Sequence, residues 1–326
     1  MEYRMNLHKD NQPFTNAIQA ASDSLNILPV FIEKDYWITL ALKRLSESPF
    51  RETVVFKGGT SLSKGYKLIS RFSEDIDIAV IDSECYKGNQ LKKHIRDVEK
   101  TISVDLTEEE AIGVSSKGSR YRKTLFSYPI SGDARLYRQV SNRLILEVNS
   151  FANPFPFESQ KISSLISEFL QASKNTEAIK KYGLEPFFLN ILDKRRTLIE
   201  KMASLIRFSF SENPIEGIAG KIRHFYDIYY LFRDPECKAY LNLSESGSDL
   251  NDLIKHDKET FDEPTGWAMK RIQDSPILID FNSIWQKLKY QYRTELSALA
   301  FSEIPEEEEV EKAFVQVLTL LFYHKD

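Results

Sequence analysis

The chain has 326 residues, 42% of them hydrophobic and 28% charged, with a formal net charge of −4. That length suits about two domains, and the acidic balance leaves any nucleic-acid contact to a local basic patch rather than to bulk charge. The two cysteines, Cys85 and Cys237, lack ligand-like spacing, which excludes a disulfide framework and a zinc knuckle and suits a reducing cytoplasm.

The polar first ten residues carry no apolar signal segment, and no apolar run approaches the ~20 residues of a membrane span. The expectation is a cytoplasmic protein with no membrane partner. The first forty residues read as helical, with Ile38, Leu42 and Leu45 on one stripe beside Trp37 and Ala41. The pattern then changes. Thr53-Val54-Val55-Phe56 is a short β-type run that meets a turn at Lys57-Gly58-Gly59. Thr60 or Ser61 is placed to cap a helix carrying Leu62, Tyr66 and Ile69, and a second strand follows over 76–81. The stretch 83–143 is polar and holds the basic, turn-rich run Lys117 to Lys123. A third strand spans 144–149, and prolines 154 and 156 mark a domain boundary. Beyond it, helices are expected over 160–173, 191–208, 219–232, 279–299 and 305–323. Pro305 and the glutamates after it fit a helix start and its dipole. The sequence thus predicts an α+β protein: a small mixed-sheet domain over 1–155 and a helical domain over 156–326.

Chemistry concentrates in Phe56-Lys57-Gly58-Gly59-Thr60-Ser61 and Arg71-Phe72-Ser73-Glu74-Asp75-Ile76-Asp77. Alternation along a strand puts Asp75 and Asp77 on one face and Ile76, Ile78 and Val80 on the other. Two adjacent carboxylates repel, and a cation between them relieves the repulsion. A hard ion such as Mg²⁺, or Mn²⁺, takes one or two carboxylates together with phosphate oxygens. Gly58 and Gly59 let phosphates approach the backbone, the amides opening the next helix donate to them, and Thr60 and Ser61 add hydroxyls. Glu147 interrupts an apolar strand and is the third acid that a two-metal site needs. An Asp-x-Asp pair alone also reads as a solvated strand edge, and a Gly-Gly as a plain tight turn; together, in one strand–turn–helix–strand unit, they favour function. The run Gly59 to Gly65 is not a P-loop, since no Gly-Lys-Ser/Thr closes it.

These two segments, with Glu33-Lys34-Asp35-Tyr36-Trp37 upstream, resemble the AbiEii/AbiGii toxin family of nucleotidyltransferases, within the polymerase-β-like superfamily. Arg196-Thr197-Leu198-Ile199-Glu200-Lys201 and Arg223-His224-Phe225-Tyr226-Asp227-Ile228 are similar to its two later motifs. The resemblance implies Lys201 for holding nucleotide phosphates and Asp227 for activity, both supplied by the helical domain to complete the active-site cleft. It also implies an NTP substrate, Mg²⁺, transfer to RNA at the tRNA acceptor end, and an antitoxin partner. Read without it, the same helices suggest something blander. Leu198, Met202 and Leu205 form a core stripe with Lys201 on its flank, and Arg223 with Asp227 makes a surface i,i+4 pair.

Lys117, Arg120, Arg122 and Lys123, and the trio Lys194, Arg195 and Arg196, are the candidate RNA-backbone contacts, Arg122, Lys123, Arg195 and Arg196 foremost. Tyr121, Phe126 and Tyr137 could stack on bases, with core packing the plainer reading. Two other functions share the motifs: nucleotidylation of a protein hydroxyl, as in AMPylation, and an inactive nucleotide-binding module.

Overall fold

The computed structural model describes residues 5–73, 75–110, 115–132 and 140–322. It shows a mixed α+β architecture in two compact units. One runs up to Tyr66 and resumes over Ser73–Leu192; the other comprises Lys67–Phe72 and the chain from Asp193 on.

The first unit opens with helices α1 (Asn11–Leu25) and α2 (Pro29–Ser46), then β1 (Val54–Lys57), α3 (Gly58–Lys64) and β2 (Asp75–Val80). Helix α4 (Gln90–Ile102) and strands β3 (Thr107–Glu109), β4 (Ser116–Lys117), β5 (Tyr121–Ser127) and β6 (Arg143–Asn149) follow. The unit closes with β7 (Phe157–Ile162), α5 (Leu165–Ala172), α6 (Thr176–Lys181) and β8 (Phe187–Leu192). Its sheet has the order β3-β5-β6-β2-β1-β8-β7, with β4 pairing β5. The pairs β2–β6 and β1–β8 are parallel and the others antiparallel. One face is apolar: Phe56, Ile76, Ile78, Leu144, Leu146, Val148 and Ile191 are fully buried. Strand alternation puts every second residue of these runs on the opposite face.

Helix α2 contacts α1, α4, α5 and β8, and it is buried almost all round rather than along one stripe. Its charged residues therefore need partners. Asp35 accepts from Lys64 Nζ at 2.6 Å and from the Leu165 amide at 2.7 Å; Glu33 accepts from the Ser131 amide at 2.9 Å. Asp35 thus ties α2, α3 and the start of α5, and Glu33 ties α2 to the backbone at Ser131.

Residues 157–192 depart from the expected pattern. Part of the helix expected over 160–173 is strand β7, and β8 precedes α7. Both strands extend the sheet through β1, so the compact unit runs past the prolines at 154 and 156 to Leu192.

The second unit contains α7 (Lys194–Ser209), α8 (Pro214–Ala219), α9 (Arg223–Arg233), α10 (Pro235–Leu241), α11 (Ser244–Thr260), α12 (Pro276–Ile279), α13 (Phe281–Leu299) and α14 (Glu307–Phe322). Phe225 of α9 lies 5.1 Å from the Trp285 ring of α13 and 4.9 Å from the Phe314 ring of α14. Helix α14 starts at Glu307, after Pro305 rather than on it, and Glu306 and Glu307 are held by Arg293. Segment 67–72 is latched into this unit. The Phe72 amide donates to the Leu299 carbonyl and the Phe301 amide to the Ser70 carbonyl, each at 3.0 Å.

Candidate active site

In the first unit, four strands place their charged residues in one row. Lys57 of β1 pairs in register with Asp77 of β2, Asp77 with Glu147 of β6, and Glu147 with Lys123 of β5. Residues directly across neighbouring strands share a face, so two acids stand side by side with a lysine at each end. Asp75 lies two residues from Asp77 on the same face, and both are part-exposed between buried apolar neighbours. Asp75, Asp77 and Glu147 are therefore brought to one face, as alternation predicts.

Their carboxylates are spread rather than clustered. Lys123 Nζ lies 3.7 Å from Glu147 Oε2, and Ser73 Oγ donates to Asp75 Oδ2 at 3.4 Å. Among the described residues, the acids whose oxygens all lie within 4.8 Å of one another are Glu306, Glu307 and Glu308, at the start of α14. Burial pushes the Asp77 carboxyl well above the usual carboxylate range, and the Glu147 and Asp75 charges push it further, against the opposing pull of Lys57 and Lys123. Tyr121 stands two residues before Lys123 on β5, near the Glu147 carboxylate. Burial and that carboxylate hold its phenol above its ordinary value.

Gly58 is dictated by this row. Its φ is +82°, and a Cβ there would lie 2.2 Å from Asp77 Oδ2. No larger residue fits beside that carboxylate. Thr60 and Ser61 differ from expectation: both are buried and neither caps α3, which begins at Gly58. The Thr60 hydroxyl donates to the Asp75 carbonyl at 2.6 Å and the Ser61 hydroxyl to the Gly58 carbonyl at 2.8 Å. They brace the glycine turn and the acid strand. Gly59 is the second residue of α3.

In the second unit, Lys201 and Asp227 meet. Lys201 Nζ lies 2.7 Å from Asp227 Oδ2, and Arg71 grips the same carboxylate in a fork, Nε to Oδ1 at 2.7 Å and Nη2 to Oδ2 at 2.6 Å. All three side chains are buried. Burial alone would raise the Asp227 pKa, but Arg71 and Lys201 hold it well below the usual carboxylate range. Burial, with Arg71 nearby, lowers that of Lys201. Burial and the Lys201 charge likewise lower the pKa of His224. The surface pair expected of Arg223 and Asp227 is not formed. Arg223 lies 3.5 Å from Glu295, and Asp227 is fully buried.

The expected basic contacts are largely committed elsewhere. Arg122 forks onto the buried Glu99, with Nη2 at 2.6 Å and Nε at 2.7 Å. Lys123 belongs to the acid row. Lys117 pairs with Glu108, Arg195 with Asp193 at 2.6 Å, and Lys194 with Asp234 at 2.8 Å. Arg120 is exposed, and the buried Nε of Arg196 has no hydrogen-bond partner among the described residues. Phe126 is buried core; Tyr137 lies outside the described residues.

Sequence reasoning gave no site role to Lys57, Arg71 or the Tyr121 hydroxyl. The first and last depend on strand register, which a single sequence does not display. Arg71 stood inside the quoted motif, four residues before Asp75, and its charge in an otherwise apolar-flanked segment was the available signal.

Residues 40–314 match the family described as "Nucleotidyl transferase AbiEii toxin, Type IV TA system". Among solved structures, the fold is similar to that of the nucleotidyltransferase toxin MenT4 from Mycobacterium tuberculosis. The match covers 90% of this chain and 86% of that one, with a TM-score of 0.50 and 14% identity. No curated protein sequence matches.

Proposed function

The chain belongs to the AbiEii family, the nucleotidyltransferase toxins of type IV toxin–antitoxin systems, and we propose that it transfers a nucleotide from an NTP to an RNA, at the tRNA acceptor end, in a metal-dependent reaction. The observation that carries this reading is the row in which Asp77 and Glu147 stand in register, with Asp75 on the same face.

The donor set fits a divalent cation. Three carboxylates offer only hard oxygen ligands, and Gly58 leaves open the space beside Asp77 that a Cβ would fill. Asp75, Asp77 and Glu147 would hold Mg²⁺ or Mn²⁺, which when bound supplies a lowered pKa for the attacking hydroxyl and countercharge for the leaving pyrophosphate. Gly58 and Gly59 admit phosphates close to the backbone. Lys57 and Lys123 offset part of the negative charge of acids and substrate. The family resemblance implies that Lys201 holds nucleotide phosphates, and Asp227 and Arg71 fix where its ammonium sits. An RNA acceptor is supported by the family resemblance and by the exposure of Arg120 and the half-exposed Arg195. An antitoxin is the expected partner. Among the described residues no helix is long and apolar enough to cross a membrane.

The test is direct. The protein is incubated with each labelled NTP, Mg²⁺ and total cell RNA, and expressed in a bacterial host in parallel. Label on a small RNA band and slowed growth, both lost in Asp77→Ala, support the proposal. RNase-resistant label on protein alone moves the acceptor to a protein hydroxyl, an AMPylation-type reaction. No label with any NTP leaves the fold as a nucleotide-binding module.

A further inference from the structure

Strand β5 presents two polar side chains to Glu147, and they engage it differently. The Tyr121 phenol lies near enough for the Glu147 charge to raise its pKa. Lys123, its register partner, is held only by charge, at 3.7 Å, beyond hydrogen-bonding range. Both the Lys123 and Glu147 side chains keep access to solvent, at 33% and 24% exposure. Arg122, between these two residues, is the contrast. Its fork is locked onto the buried Glu99 by two short hydrogen bonds, and its own side chain is only 12% exposed.

A lysine ammonium is a compact point charge on a flexible four-carbon stem, easily moved from one anion to another, whereas a paired guanidinium is not. A cation beside a carboxylate also competes with any second cation that uses the same oxygens, because like charges a few ångströms apart repel.

We propose that Lys123 is the resident counter-ion of the Asp77–Glu147 pair and passes to the triphosphate of the bound NTP when a divalent cation takes over those carboxylates. Lys123 is thereby a substrate-binding residue rather than part of a general RNA-backbone patch. The inference rests on the metal-dependent reading above.

That role has a signature that a merely structural lysine lacks: two binding constants move in opposite directions. Mn²⁺ binding to the protein alone is measured by the loss of the free-ion electron paramagnetic resonance signal. Binding of a non-hydrolysable NTP analogue at saturating Mn²⁺ is measured by calorimetry. The wild type is compared with Lys123→Met, Lys123→Gln and Asp77→Asn, each checked for folding by circular dichroism. Removing the ammonium should tighten Mn²⁺ binding about tenfold, as expected for a dication that loses one cation a few ångströms away in a half-exposed site. The same variants should weaken analogue binding by about tenfold, the loss of one charge-assisted phosphate contact. The two neutral variants should agree, so a misfolded Met variant leaves the Gln variant to decide. Unchanged or weaker Mn²⁺ binding in the folded variants overturns the proposal, as does unchanged analogue binding. If the wild type binds no Mn²⁺, or Asp77→Asn binds it equally well, the metal site itself is refuted, and the role of Lys123 falls with it.

Discussion

The two charged clusters of this molecule are built on opposite balances. In the first unit, three carboxylates face two lysines across a sheet, the acids are part-exposed, and Lys123 meets Glu147 only at 3.7 Å. In the second, one carboxylate is gripped by two cations, and every member is buried and tightly bonded. The difference teaches how a set of charges that awaits a ligand differs from one already neutralised within the protein. Unrelieved like charge at a strand end costs stability and persists where a ligand can neutralise it. A saturated buried triad is stable as it stands, and disturbing it harms the fold first.

Breaking the second cluster should have the largest effect. Asp227→Ala leaves Arg71 and Lys201 buried without their anion and should cost about 3–5 kcal/mol, read as a lower denaturant midpoint. The pH dependence follows from the depressed Asp227 carboxyl: its contribution is present above the unfolded carboxylate range and is lost as pH falls through the folded value. Acid titration of stability should show that loss in the wild type and not in Asp227→Asn.

The first cluster should respond in reverse. Asp75→Ala or Asp77→Ala should lower transfer by at least ~10²-fold, as for loss of one electrostatic contact to a transition state, with the fold intact. Near wild-type turnover in either would end the metal reading. For Asp77→Asn a stability gain is expected. The folded Asp77 carboxyl titrates above its unfolded value, so ionising it at neutral pH disfavours the folded state. The variant should melt higher than wild type at pH 7, and the difference should fade as pH falls toward the unfolded carboxylate range.

Gly58→Ala tests the space between backbone and acid. The positive φ should cost about 1–2 kcal/mol, and the displaced Asp77 side chain should lower activity beyond what the lost stability explains, seen as reduced kcat at a temperature where both proteins are folded. Lys201→Ala should raise KM for NTP, with Lys201→Arg recovering part of the loss, since a planar fork does not replace a compact ammonium. The smallest effect is expected from charge reversal at Arg195 or Arg196. If they touch RNA phosphates, each should reduce the slope of log affinity against log salt by about one unit, leaving NTP and metal binding unchanged.

The β1–glycine–α3–β2 unit and the Glu147 strand were legible in the sequence because β1 is a continuous β-type run ended by glycines and because apolar residues alternate with the site acids in β2 and β6. Strand β7 was not. Phe157–Ile162 is the outer strand of the sheet, largely solvent-facing, and its polar middle shows no period of two. Strand β8 was hidden beside a helix start, its short apolar run compatible with either element. Lys57, Lys123 and Tyr121 owe their place to register between strands distant in the sequence, which no local pattern encodes. Lys201 and Asp227 entered through resemblance. Their burial and mutual contact depend on Arg71, 156 residues from its partner.

The latch of residues 67–72 also bears on how the protein comes into being. This short segment joins the glycine turn to the acid strand in the chain, yet its backbone partners are Leu299 and Phe301. A ribosome delivers the chain in order. Once Ser70 has emerged, roughly 230 further residues must be added before its partner Phe301 exists, on the order of ten seconds or more of synthesis. A nascent chain can therefore already display Gly58, Asp75, Asp77 and Glu147 while the link between them hangs unfastened. The fastening of that link must wait until Phe301 has been made, and a chain cut short before it leaves the central connection untied.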